Sequence, residues 1–136
     1  MSWLVDANVL SEPTRAHPDS GVVDWLRSHE RELSVDPIIL GEVRFGILLL
    51  PPSKRRAGLE RWFDGVVARV ACLPWDSATG LRWAALLAQL RSEGKAMPIK
   101  DSQIAATALV HGLTVVTRNI GNFGSARVAV LNPFVD

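Results

Sequence analysis

Short apolar runs of strand-forming residues alternate along this chain with longer stretches of helical periodicity, and that alternation restricts the fold more than any other feature. Trp3-Leu4-Val5, Leu33-Ser34-Val35, Val70-Ala71-Cys72-Leu73 and Leu113-Thr114-Val115-Val116 read as strands, with Arg127-Val128-Ala129-Val130 a weaker fifth. Between them, helical patterns run from Asp19 to Ser28, Asp36 to Leu48, about Ser53 to Val67, Asp76 to Ser92 and Asp101 to His111. The punctuation agrees. Asp36 reads as a helix cap, with a supporting site role the lesser alternative, Pro37 takes the first helical position, Pro51 stops the same helix, and Gly94 and Gly112 end two later ones. Strands joined through helices predict an α/β fold with a mainly parallel sheet covered on both faces. In such folds polar groups gather beyond the carboxyl ends of the strands, which decides where to look for chemistry.

The 136 residues suit a single domain spanning 1–136, and 48% hydrophobic residues are ample for its core. A formal net charge of +1 neither demands nor excludes a nucleic-acid partner. Cys72 is the only cysteine, so no internal disulfide forms and no cysteine cluster holds zinc; a reducing cytoplasmic setting is the simplest expectation. No apolar stretch approaches the roughly 18 residues that cross a bilayer, and the N-terminus has no basic-then-apolar leader, so neither a membrane nor a secretion route is expected.

Asp6 directly follows the first strand, Asn119 follows the strong strand at Val115-Val116, and Asp101 opens the Ala-rich helix. Glu42 lies within about two turns of the start of its helix, among Ile39, Leu40, Val43 and Ile47, where a buried carboxylate needs a partner or a metal. Two carboxylates about 4 Å apart repel by roughly 4 kcal/mol at an effective dielectric near 20, so convergence requires a proton or a cation between them. Oxygen ligands alone suit Mg²⁺ or Mn²⁺. A plain turn or helix cap remains the competing reading for Asp6 and Asp101.

Around these residues the chain resembles the VapC-type PIN domains. Val5-Asp6-Ala7-Asn8-Val9-Leu10-Ser11-Glu12 resembles their opening motif, and Ile39-Leu40-Gly41-Glu42-Val43-Arg44-Phe45-Gly46 resembles the second. Pro98-Ile99-Lys100-Asp101-Ser102-Gln103-Ile104-Ala105-Ala106 is similar to the third, and Val116-Thr117-Arg118-Asn119-Ile120-Gly121-Asn122-Phe123 to the fourth. The ending Val128-Ala129-Val130-Leu131-Asn132-Pro133-Phe134 is like that of the FitB branch. Each motif is weak alone, but four in order over nearly the whole chain are specific.

The resemblance implies a three-layer α/β/α sandwich and a Mg²⁺- or Mn²⁺-dependent endoribonuclease, the toxin of a type II toxin–antitoxin pair. It implies metal-binding roles for Asp6, Glu42 and Asp101, with Asn119 at the fourth catalytic position and Asn8 and Thr117 in support. It further implies an RNA substrate, tRNA among the candidates, a homodimer, a small VapB- or FitA-like antitoxin, a larger assembly with it, and DNA reached only through that antitoxin. The fourth position departs from the FitB-like pattern, where Asp is common. Asn119 brings an amide oxygen but no charge, so one well-held ion is expected, with a second recruited by the RNA phosphate.

Arg44 and Arg118 are the candidate RNA contacts, whereas Lys54-Arg55-Arg56 and Arg61 read as a solvated helix face. Trp25, Trp62 and Trp83 read as core or subunit interface, and His17, His29 and His111 have no metal-ligand spacing. An aspartyl phosphatase would need a second Asp where Asn8 stands, and the same feature disfavours a phosphorylated receiver domain. A catalytically weak PIN-like module that only binds RNA or protein is the second expectation, motivated by Asn119.

Overall fold

The computed structural model describes residues 2–134. Its sheet has five parallel strands: β1 (Trp3–Val5), β2 (Leu33–Val35), β3 (Ala71–Cys72), β4 (Thr114–Val116) and β5 (Val130–Leu131), in the spatial order β3-β2-β1-β4-β5. Helices α1 (Ala7–Leu10), α2 (Ser20–Ser28), α3 (Pro37–Leu48), α4 (Lys54–Gly65), α5 (Ser77–Ser92) and α6 (Ile99–His111) flank it, giving the expected α/β sandwich. Leu4, Val5, Val35, Val115 and Val116 are all completely buried, as the interior strands of a sheet covered on both faces must be. They meet Ile39 and Val43 of α3, Leu86 and Leu90 of α5, and Ile104, Ala105 and Ala108 of α6 in one core.

The helix starts follow from local chemistry. Asp6, Asp19, Asp36 and Asp76 each accept a hydrogen bond from a backbone N–H of the turn they open, and Ser53 does the same for α4. Gly112 ends α6 in the left-handed region, at φ 66°. Some expected boundaries move. The last strand is Val130–Leu131 and not Arg127–Val130, because Arg127 has a left-handed φ of 57° at the end of a 3₁₀ stretch, Ile120–Ala126, and cannot be extended there. The basic helix ends at Gly65, and a 3₁₀ turn at Val67–Arg69 leads into β3.

Strand order fixes the site. From β1 the chain steps outward through β2 to β3, then returns to the opposite side of β1 as β4 and continues to β5. The direction of winding therefore reverses between β1 and β4, and the crevice beyond their carboxyl ends is where such sheets hold ligands.

Candidate functional site

Two side chains close the crevice between β1 and β4. Asp6, one residue past β1, stays in the ladder through its N–H to Val116 O at 2.9 Å, while its buried carboxylate caps α1 through Oδ1 and Ala7 N at 2.8 Å. The cap and the functional reading thus coexist, because capping uses only one oxygen. The other, Oδ2, accepts from Thr117 Oγ1 at 2.8 Å and from Asn8 Nδ2 at 3.4 Å. Thr117, just beyond β4, is fully buried and also accepts the Asn119 N–H at 3.0 Å. Asn8 completes the seam: its Oδ1 accepts the Arg118 N–H at 3.1 Å, and its Nδ2 reaches Thr117 Oγ1 at 3.4 Å.

Burial pushes the Asp6 carboxyl up to about 6, against the lowering pull of Thr117 and the Ala7 N–H, and the charges of Glu42 and Asp101 push it further the same way. The two other sequence-predicted acids lie nearby: Glu42 shares a cleft with Ala7 and Asn8, and its carboxylate pairs with Lys100, the neighbour of Asp101. Asp101 is not the cap of α6, which starts at Ile99 after an extended Pro98; it stands in the first turn, half-buried, with its carboxylate free of capping duty. Burial raises Asp101 as well, opposed by the amide of Asn122, which donates to Oδ2 at 3.0 Å, and by the neighbouring Lys100. Glu42 leans from the middle of α3; its Oε2 meets Lys100 Nζ at 3.4 Å, and its Oε1 is buried with no hydrogen-bond partner. Glu42 lines two clefts, one of about 380 Å³ with Asn8, Arg55 and Trp62, the other of about 290 Å³ with Phe45, Lys100 and Gln103.

The remaining predicted residues separate. Asn119 is exposed at the start of the 3₁₀ stretch and touches the site through its backbone N–H to Thr117. The Arg118 guanidinium lies 4.5 Å over the Phe134 ring, beside a depression shared with Glu12, Arg15 and His17. Arg44 turns toward α4, 5.1 Å over the Phe63 ring and within 3.8 Å of Glu60 and 3.9 Å of Asp64. Asn122 is the residue that sequence reasoning passed over. Gly121-Asn122-Phe123-Gly124 reads locally as a turn, and nothing in it announces a bond to a carboxylate 21 positions away.

Among the described residues no three His, Cys, Asp or Glu side chains stand close enough together to hold an ion as they are. The acids share an edge without forming a closed cage. The donor set nevertheless fits a hard divalent cation: every candidate donor is oxygen, one carboxylate oxygen is buried and unpaired, and a desolvated Asp6 carries uncompensated charge. Mg²⁺ keeps several waters and needs only one or two carboxylates, so a closed cage is not required.

Residues 3–127 match the PIN-domain family. The chain is 39% identical over 137 residues to the toxin FitB of Neisseria gonorrhoeae, covering 98% of this chain and 99% of that one. It is 35% identical over 135 residues to a VapC ribonuclease, Y4jK, of Sinorhizobium fredii, covering 96% of each. Among solved structures, a FitAB complex bound to a DNA fragment superposes with a TM-score of 0.91 at 34% identity, over 98% of this chain and 96% of that one.

Proposed function

This chain belongs to the PIN-domain family, and from that premise we propose that it is a Mg²⁺- or Mn²⁺-dependent endoribonuclease, the toxin of a type II toxin–antitoxin pair. The observation that carries this reading is the Asp6 carboxylate: desolvated at the reversal point of the sheet, raised to about 6, and acted on by the charges of both Glu42 and Asp101. Asp6, Glu42 and Asp101 would hold the ion. When bound, it would polarise an RNA phosphate and lower the pKa of an attacking water.

The chain's own groups have the following tasks. Thr117 and Asn8 orient Asp6 Oδ2, and Asn122 orients Asp101 Oδ2. At pH 7 the Asp6 carboxyl is mostly ionised, since about 6 lies below it. The attacking water gives up a proton as its oxygen adds to phosphorus, the P–O bond to one ribose oxygen breaks, that oxygen takes up a proton, and no covalent bond to the protein forms. Asn119 meets the seam through its backbone N–H and adds no carboxylate, so a single tightly held ion is expected, with a second entering only alongside the RNA phosphate. Arg118 is the better placed of the two arginines for the RNA strand, because Arg44 is engaged with α4.

The toxin reading extends to partners. Exposed Phe45, Leu48 and Leu49 on and just beyond the end of α3 support docking of another protein, and the similar FitAB complex supports a small antitoxin as that protein. Any DNA contact would then pass through the antitoxin. A homodimer, a larger assembly with the antitoxin and a cytoplasmic setting complete the proposal; no helix among the described residues is long and apolar enough to cross a membrane.

The test is incubation of the partner-free protein with total RNA including tRNA, in Mg²⁺, Mn²⁺ or EDTA, beside Asp6→Asn and Asp101→Asn. Asn at position 6 keeps the helix cap. Metal-dependent cleavage that vanishes in both variants is expected; cleavage surviving EDTA or both substitutions refutes the assignment. A second reading, an RNA- or protein-binding module without catalysis, draws on the Lys100–Glu42 pair and the open arrangement of the acids. RNA retention without cleavage or Mn²⁺ binding would favour it.

A further inference from the structure

Asp36 is completely shut off from solvent, yet the chemistry above gives it no task. Its Oδ1 accepts the Ile39 N–H at 2.9 Å and closes the N-terminus of α3. That duty needs one oxygen, and Ser53 performs it for α4 with a hydroxyl, without burying a charge. The second oxygen does what a capping hydroxyl cannot. Asp36 Oδ2 accepts from Thr107 Oγ1 at 2.6 Å, and Thr107, 71 positions later in the middle of α6, is equally sealed from water.

The two partners stand on the two helices that carry site acids. Asp36 opens α3, which bears Glu42 six positions on; Thr107 lies in α6, six positions after Asp101. Six helical residues span about 9 Å, so a shift at the buried pair is carried to the acids along rigid rods. The Lys100–Glu42 pair also joins these helices, but Lys100 is largely exposed and its ion pair at 3.4 Å is solvated, which leaves it free to rearrange. A short bond between two buried groups in a low-dielectric interior resists displacement far better.

We propose that the Asp36–Thr107 pair is a positioning latch that fixes α3 against α6 and so sets the separation of Glu42 and Asp101, which would hold a divalent cation. This rests on the metal reading given under Proposed function. Burial raises the Asp36 carboxyl, while the Thr107 hydroxyl and the α3 N–H groups oppose that rise.

The experiment is Mn²⁺ titration of the full chain, followed by electron paramagnetic resonance of the free ion, with the unfolding midpoint recorded for every variant. Asp36→Ser keeps a capping oxygen but is too short to reach α6, and Thr107→Val removes the donor from the other side. Each should bind Mn²⁺ roughly tenfold more weakly, the range seen when groups supporting metal ligands are removed. The double variant should be no weaker than either single one, and Thr107→Ser, which keeps the hydroxyl, should restore wild-type affinity. Variants that lose stability but bind Mn²⁺ as the wild type does would overturn the latch, because a merely structural bond leaves the affinity of the folded protein unchanged. Asp36→Asn gives an answer even where the truncations do not fold. Its amide keeps the cap and can donate to Thr107 Oγ1, so affinity within about twofold of wild type is expected, and a tenfold loss would show that the charge matters and not the latch. Wild-type protein that binds no Mn²⁺ removes the metal reading itself, and the latch falls with it.

Discussion

Asp6→Asn should make the metal-free protein more stable at neutral pH, even though it removes a side chain that makes three hydrogen bonds. The fold raises the Asp6 carboxyl from an ordinary 3.8 to about 6, chiefly by burial. Between those values the folded chain binds more protons than the unfolded one, so stability falls as pH rises through that window and stays reduced above it. At about 1.4 kcal/mol per pKa unit, the ionised carboxylate costs the fold on the order of 3 kcal/mol at pH 7.5. An Asn keeps the Ala7 cap, and its amide can face Thr117 Oγ1 as a donor, but reversing that hydroxyl loosens the seam by about 1 kcal/mol. A net gain of roughly 1–2 kcal/mol is therefore expected at pH 7.5 in EDTA, shrinking toward zero or reversing near pH 4. Urea unfolding of both proteins at several pH values reads this directly. With saturating Mn²⁺ the order should invert, since binding stabilises only a chain that can hold the ion. An Asp6→Asn protein less stable than wild type at pH 7.5 in EDTA would show that hydrogen bonds to the carboxylate outweigh its desolvation, and would remove the physical reason for a cation at this edge.

Further outcomes follow from the same geometry. Thr117→Val removes a hydrogen bond that lowers the Asp6 carboxyl, so the pH at which Mn²⁺ binding is half lost should rise in a pH-resolved titration. RNA cleavage by the wild type at limiting Mn²⁺ should fall as the pH drops toward 5, because protonation of the raised Asp6 carboxyl competes with the ion; a rate at pH 5 equal to that at pH 7.5 contradicts the assignment. Gly112→Ala places a side chain at φ 66° and should cost about 1 kcal/mol in denaturant unfolding without altering Mn²⁺ affinity. Arg44→Ala should cost about 0.5–1 kcal/mol by loosening α3 from α4 and leave RNA binding intact, while Arg118→Ala should weaken it in a filter-binding assay.

What sequence reasoning could reach was set by range. Trp3–Val5 and Leu33–Val35 appear where their apolar pattern predicts them, and Asp36-Pro37 opens α3 as its local chemistry dictates. Asp6 was legible because a residue immediately after a buried strand falls at the sheet edge, whether or not it also caps the next helix. The misplaced start of β5 has a backbone cause: the left-handed Arg127 leaves no trace in an apolar pattern. Asn122, the Lys100–Glu42 pair and the Asp36–Thr107 bond escaped for a common reason. Each joins groups 21, 58 and 71 positions apart, respectively, and a side chain's distant partner is written in the tertiary fold, not in its neighbours. Asp36 shows the limit well, since reading it as a cap describes only one of its two oxygens.

The bond between Thr117 and Asp6 spans 111 positions, and that separation has a consequence for the order of events in synthesis. β1 precedes the other strands along the chain, yet one of the two strands that flank it is β4, which follows all six helices α1 to α6. Until residue 117 has emerged, the growing polypeptide carries Asp6, Glu42 and Asp101 with no seam to gather them, and contacts of such range form late in folding. A ribosome making this protein thus handles a chain whose proposed cutting edge matures only after nearly all of its parts have been translated.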